Sequence, residues 1–174
     1  PEKAMDILNN CIFESSKGAM WMTFFVGVYD ATTSQFNYCC ASHNFPYLFP
    51  QLEGGRTLKK KDVVPLGLNN GPALGRDPAS IYKVGTCHLN PGDQILFFTD
   101  GLVESKNTSE QMFGDVKLVK SILSLIQQGQ SSTQQIKSLC ATLKEFTTTA
   151  PQDDDITFFT LKIKSKAGSD IVQK

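Results

Sequence analysis

Histidine is scarce in this chain: His43 and His88 are its only two. Five cysteines occur, Cys11, Cys39, Cys40, Cys87 and Cys140, and no two form a Cys-x-x-Cys pair. This composition leaves no ordinary structural zinc site. An odd number of scattered cysteines fits free thiols in a reducing compartment, so the expected location is cytoplasmic. Net charge is also missing, because 17 basic residues balance 17 acidic ones. A neutral chain gives no case for broad binding to nucleic acid or to an anionic membrane. Lys59-Lys60-Lys61 is one short basic run and reads as a solvated loop. No apolar run approaches membrane-spanning length, and the N-terminus lacks the pattern of a signal peptide. There is no internal repeat and no sign of a second domain. The first residue is Pro1 rather than Met, as expected of a fragment or a processed product.

What is present is ordinary for a globular domain: 40% hydrophobic and 20% charged residues in a chain of 174. Residues 1–163 read as one domain and 164–174 as a polar tail. Glu2 to about Ser15 has helical spacing, with Ala4, Leu8, Cys11 and Ile12 on one stripe and Met5 and Ile7 beside it. Met20 to Tyr29 and Phe36 to Ala41 read as strands that pair antiparallel across the Asp30–Ser34 connection. In Ala41-Ser42-His43-Asn44-Phe45-Pro46, His43 is either a base or a residue that bonds to the backbone and shapes the bend, the second being preferred. Tyr47 to Phe49 resumes a strand. Residues 53–78 read as turns and loops around the apolar island Pro65-Leu66-Gly67-Leu68, which either packs under the loop or lines a cleft. Ser80 to Leu89 reads as a strand.

Two later helices follow. In the first, Asp115 is a reasonable N-cap, and Val116, Val119, Leu123 and Ile126 form a stripe widened by Leu118, Ile122 and Leu125. The second begins at Ser132 and Gln135, which have capping-box spacing. It carries Ile136, Leu139, Cys140, Leu143 and Phe146 on one face, so Cys140 is expected in the core.

The most informative stretch is Asn90 to Ser105. Pro-Gly-Asp breaks the chain, and Ile95 to Phe98 is an unbroken apolar run of strand length. Thr99-Asp100-Gly101 then puts a carboxylate where that strand leaves the core for a loop. Asp100 suits a hard cation, which takes carboxylate oxygens. Asp-Gly is also common turn chemistry, and alone it is better read that way. A second signal lies at Asp153-Asp154-Asp155, at the mouth of the strand Ile156 to Ile163. The three carboxylates repel one another and have no basic sequence neighbour. A divalent cation would relieve that repulsion. If the two strands are neighbours, Asp100 and the triplet face one cleft.

Taken together, these blocks resemble the catalytic domain of bacterial metal-dependent (PPM-type) serine/threonine protein phosphatases, in the branch of stage II sporulation protein E and the sigma-factor-regulating phosphatases. The blocks run in order: Leu8-Asn9-Asn10, Met22-Thr23-Phe24-Phe25, Val28-Tyr29-Asp30, Ala41 to Pro46 with Ser42 where the family has glycine, Pro65-Leu66-Gly67, Pro91-Gly92-Asp93, Phe98 to Glu104, Phe113-Gly114, and Gln152 to Thr157. The resemblance implies an α+β fold, a four-layer αββα sandwich of two mostly antiparallel sheets flanked by helices. It implies two Mn²⁺ or Mg²⁺ ions and hydrolysis of phosphoserine or phosphothreonine by a metal-activated water, with no catalytic residue apart from the metal ligands. Carried over by motif, Asp100 and Asp154 are ligands, Asp155 is the reserve choice, and Gly101, Glu104 and His43 shape the site. For this branch the implied substrate is an anti-sigma-factor antagonist in a bacterial partner-switching pathway, with an upstream sensor or receiver domain.

One departure matters. The family's Gly-Asp-x-x-Asp and Asp-x-x-Gly-His-Gly segments do not occur here. The expectation is a partial domain: the C-terminal two-thirds, with half of a two-metal site, inactive alone, and either homodimeric or structurally incomplete, with open sheet edges. The competing expectation is a non-catalytic interaction module on the same scaffold.

Overall fold

A computed structural model describes residues 1–164; the tail expected beyond that point lies outside the described residues. The elements are α1 (Glu2–Ser16), β1 (Phe24–Asp30), β2 (Gln35–Ala41), β3 (Tyr47–Phe49), β4 (Val64–Pro65), β5 (Gly85–His88), β6 (Gln94–Phe98), α2 (Asp100–Glu104), α3 (Gly114–Gln127), α4 (Ser132–Thr147) and β7 (Phe158–Lys162). One sheet has the order β1-β2-β5, the other β4-β3-β6-β7. Every strand pair is antiparallel.

Alternation along β6 explains the layering. Ile95 and Phe97 face the other sheet and join a core cluster with its Phe36 and Tyr38, together with Leu48, Leu66 and Leu89. Leu96 and Phe98 point the opposite way, into a core built with Leu102, Leu118, Ile122 and Leu139 of the helices. A strand covered on both faces must be apolar at every position, hence the unbroken run. On the outer face of the first sheet, Cys39 and Ala41 pack with Met5, Leu8 and Ile12 of α1. The order of layers is therefore helix, sheet, sheet, helices, the expected αββα sandwich. The apolar island divides: Leu66 is buried between the sheets, whereas Leu68 is exposed.

Several boundaries and faces differ from the sequence expectation. β1 begins at Phe24, leaving Met20 and Trp21 exposed. β5 is confined to Gly85–His88, and β7 to Phe158–Lys162. The capping box of α4 is Ser131 with Gln134, one residue earlier than the spacing suggested. Phe113 occupies the N-cap position of α3, and Asp115 instead accepts a bond from the Tyr47 hydroxyl at 2.8 Å. Val116 lies outside the buried stripe of α3, whose centre is Leu118, Ile122 and Leu125. Cys140 is exposed, because Leu139 and Leu143 already fill the α4 interface and Gln135 is the other buried residue there. Gln135 is satisfied by a buried bond from Gln94 Nε2 to its Oε1 at 2.7 Å.

α1 buries Met5 and Asn9, with Leu8 and Ile12 half-buried, and leaves Ala4, Ile7 and Cys11 exposed. A polar side chain decided this rotation. Asn9 Oδ1 accepts from the Gly75 amide at 2.8 Å and from the Tyr82 hydroxyl at 3.2 Å, while its Nδ2 donates to Asp77 O at 2.9 Å. Replacing Asn9 with Leu orphans these groups, and a loss of about 2–3 kcal/mol in unfolding free energy is expected from denaturant titration.

Asp30 closes the β1–β2 hairpin by accepting from the Thr32 hydroxyl at 2.6 Å and the Thr32 amide at 2.8 Å. These bonds favour the charged form and pull its pKa from 3.8 down to about 2. A depressed carboxylate contributes stability above its unfolded value and loses it as pH falls through the folded one. The difference in denaturation midpoint between the parent and Asp30→Ala should therefore shrink as pH drops from about 4 to about 2.

Among the described residues β1 and β7 are edge strands, each with one neighbour. A cavity of about 370 Å³, lined by aromatic residues of β1, β2, β6 and β7, lies between the sheets. Phe159 of β7 is 55% exposed and Val28 of β1 51%. These are the open edges and apolar surface that the missing motifs led us to expect.

Candidate metal centre

β6 and β7 are antiparallel neighbours, from Gln94 opposite Lys162 to Phe98 opposite Phe158. The end of β6 and the start of β7 therefore lie side by side, which brings Asp100 to the acidic triplet. Thr99 stitches the two segments together. Its amide donates to Thr157 O at 2.9 Å, and its hydroxyl donates to Asp155 O at 3.2 Å. That hydroxyl oxygen also accepts from the Thr157 amide at 3.0 Å.

The chain after Thr99 forms the short helix α2 rather than a loop. Gly101, Leu102 and Val103 are buried, which pins the helix to the core and leaves Asp100 exposed at its first turn. Among the described residues, Asp100 Oδ1 accepts only the adjacent Gly101 amide, at 3.1 Å. Gly101 is required by close approach: a Cβ there would stand 2.5 Å from Asp155 O. Across this contact, Asp154 Oδ1 accepts the Asp155 amide at 2.7 Å, and Gln152 Nε2 donates to Asp154 O at 2.8 Å. A cavity of about 360 Å³ beside the contact is lined by Gly101, Glu104, Ser105, Lys106, Asp153 and Asp154, together with Met112.

The structure thus brings Asp100, Gly101 and Glu104 together with the acidic triplet. His43 lies on the inter-sheet cavity with Thr99 and Thr157. Its Nδ1 is 2.8 Å from Asn44 O, which can only accept, so the ring donates to the backbone. Ser42 adopts φ 54°, the left-handed conformation that suits the family's glycine. Its amide is held by Asn70 Oδ1 at 2.9 Å and Gly71 O at 3.0 Å.

Two contributors were not visible in the sequence. Thr99 is a clamp only because Asp155 and Thr157 arrive across the sheet. Lys106 supplies the basic neighbour that the triplet lacks in sequence, with its Nζ 3.5 Å from Asp153 Oδ2. Among the described residues, Asp100, Asp154 and Asp155 have no ion-pair partner. The available donors are carboxylate oxygens, which fit Mn²⁺ or Mg²⁺. Among the same residues no three His, Cys, Asp or Glu side chains converge into a metal cage, so Asp100, Asp154 and Asp155 do not form a closed ligand set. One oxygen of each of the Asp154 and Asp100 carboxylates is engaged by the amide of the next residue.

Solved structures share this architecture. The SiaA-PP2C domain of Pseudomonas aeruginosa matches with a TM-score of 0.77 at 20% identity, over 94% of this chain and 61% of that one. The catalytic domain of the serine/threonine protein phosphatase PstP, solved in complex with two manganese ions, matches with a TM-score of 0.63 at 10% identity, over 94% of this chain and 70% of that one. The fold is that of the PP2C-type phosphatase domain. Residues 1–164 match the Stage II sporulation protein E (SpoIIE) family, and the chain belongs to it. It is also 29% identical, over 107 residues, to the phosphoserine phosphatase RsbU of Bacillus subtilis, a stretch covering 61% of this chain and 29% of that protein. The chain thus spans 61% of the SiaA domain, and its match to RsbU covers 29% of that protein. Among the described residues no helix is long and apolar enough to cross a membrane.

Proposed function

We propose that this chain carries one part of the two-metal site of a protein phosphatase that hydrolyses phosphoserine or phosphothreonine. The observation that supports this most is the seam at Thr99, which joins the segment carrying Asp100 to the segment carrying the acidic triplet at one sheet mouth. Asp100 and Asp154 would hold a Mn²⁺ or Mg²⁺ ion, with Asp155 as the reserve ligand. Such an ion supplies Lewis acidity toward water and phosphoryl oxygen. The chain's own residues do the positioning. α2 is anchored by Leu102 and Val103, Gly101 lets the acidic loop approach, and Thr99 fixes the spacing. His43 shapes the adjoining bend, and Glu104 adds negative charge to the rim.

The remaining ligands belong to a segment that completes the domain, as the shorter span relative to the SiaA domain and RsbU supports. The substrate in this reading is a phosphorylated anti-sigma-factor antagonist in a partner-switching pathway, dephosphorylated in the cytoplasm under control of an upstream sensor or receiver domain. The family match and the likeness to RsbU support it. The test is manganese-dependent phosphate release from a phosphoserine protein by the full-length protein. The absence of a closed ligand set among the described residues favours a second reading, a non-catalytic interaction module that pairs with a second copy of itself through the open edges. Saturable Mn²⁺ binding without phosphate release from any phosphoserine protein would support that alternative.

A further inference from the structure

We infer that Lys106 sets the charge of the acidic loop: it engages Asp153 and thereby would limit the affinity of the Asp100–Asp154 site for a divalent cation. The inference rests on the metal reading proposed above. Lys106 is placed by a hydrogen-bonded turn. Its backbone bridges to Met112, and the Phe113 amide donates to Ser105 O at 2.8 Å. Within the turn, Asn107 Oδ1 accepts the amides of Ser109 and Gln111, each at 3.0 Å. From this base the ammonium reaches Asp153 at 3.5 Å and Glu110 at 3.7 Å. The Lys106 side chain is 35% exposed, against 64% for Asp153 and 81% for Glu110. Its position is thus set by the protein more than by solvent.

Lys106 and Asp153 line the same cavity as Asp154 and Glu104. Among the described residues Lys106 is the one cation on that lining. It acts twice in the same direction, repelling an incoming cation and neutralising a carboxylate that would otherwise attract or ligate it. Lys106 is a positioning residue here, since it acts through Asp153.

The test is Mn²⁺ binding to the full-length protein, read by electron paramagnetic resonance of free Mn²⁺ without substrate. Lys106→Met should tighten binding about 3- to 10-fold, the range expected of one partly screened charge. Lys106→Arg should stay within about twofold of the parent, because its charge is kept. Asp153→Asn should weaken binding about threefold by removing the partner that offsets Lys106 on the cavity side, leaving it only the exposed Glu110. The double variant Lys106→Met/Asp153→Asn, which restores the parent's net charge, should return close to parent affinity. The Lys106→Met effect should shrink in about 0.5 M salt, which a purely structural role would not do. Unchanged or weaker binding in folded Lys106→Met overturns the inference. If that variant does not fold, unchanged binding in Asp153→Asn overturns it instead. A parent protein that binds no Mn²⁺ overturns the metal reading and this inference together. Parent binding that Asp154→Asn abolishes and Lys106→Met leaves unchanged overturns this inference alone.

Discussion

Asp100→Asn in the full-length protein is expected to lower manganese-dependent turnover by at least about 100-fold, while its melting temperature stays close to the parent's. Losing a residue that merely supports a metal ligand already costs about 10- to 100-fold, so losing a ligand belongs at or beyond the upper end. A hundredfold corresponds to about 2.7 kcal/mol of transition-state stabilisation. The fold should tolerate the change, because Asp100 is exposed and its one bond accepts the neighbouring Gly101 amide. An asparagine oxygen makes the same bond. The isosteric amide removes the negative charge and little else. Asp154→Asn should behave alike, since its bond to the Asp155 amide can also be kept. Asp153→Asn should cost far less, because that carboxylate faces Lys106. Phosphate release from a phosphoserine protein, beside a thermal melt of each variant, separates these outcomes. Normal turnover in either Asp100→Asn or Asp154→Asn would sink the ligand assignment.

Gly101→Ala should damage both stability and turnover through a single methyl group. That carbon would stand 2.5 Å from Asp155 O and 3.1 Å from the carbonyl carbon of the same residue. Both atoms are backbone, so no side chain can swing aside. Leu102 is fully buried and Val103 nearly so, which prevents α2 from retreating. The acidic loop must move instead, and with it the Thr99 bonds to Asp155 and Thr157. Forced overpacking of this kind costs about 1–3 kcal/mol. Alanine recovers up to about 1 kcal/mol of helix propensity over glycine, which reduces the net loss without reversing it in so short a helix. Turnover should fall more steeply, by about 100-fold, since a displacement near 1 Å at a reacting centre has that effect. A denaturation midpoint and a turnover both equal to the parent's would show that the acidic loop yields freely, against the close approach described above.

Local pattern and tertiary contact divided the information about this protein between them. The unbroken apolar run of β6, the breakers around it, and the two acidic sites at strand mouths are short-range features. Each is written in a few adjacent residues, so the strands, their polarity and the candidate ligands could be read from sequence. The order of the family's blocks added the layered architecture, and the strand pairing agrees with it. The face of α1 was misjudged because apolar spacing assigns burial to carbon. The buried face of α1 is instead fixed by Asn9, whose partners Gly75, Asp77 and Tyr82 lie far along the chain. Cys140 was misjudged for a related reason. An apolar stripe on a helix is filled only as widely as its neighbour allows, and Leu139 with Leu143 suffices for α4.

By itself, the sequence determined the order of the elements and the two acidic stretches, since these follow from hydrophobic period and turn chemistry within each segment; the αββα class followed only from the resemblance of its blocks to the family. Tertiary structure alone decided that the two stretches meet, that Thr99 joins them, that Gly101 must lack a side chain, and that Lys106 rather than a sequence neighbour answers Asp153. The physical reason is that each of these is a contact between segments distant in the chain, set by the β6–β7 register and by the turn that carries Lys106. No local pattern encodes the distance between two such groups; the packing of the sheet and its helices does.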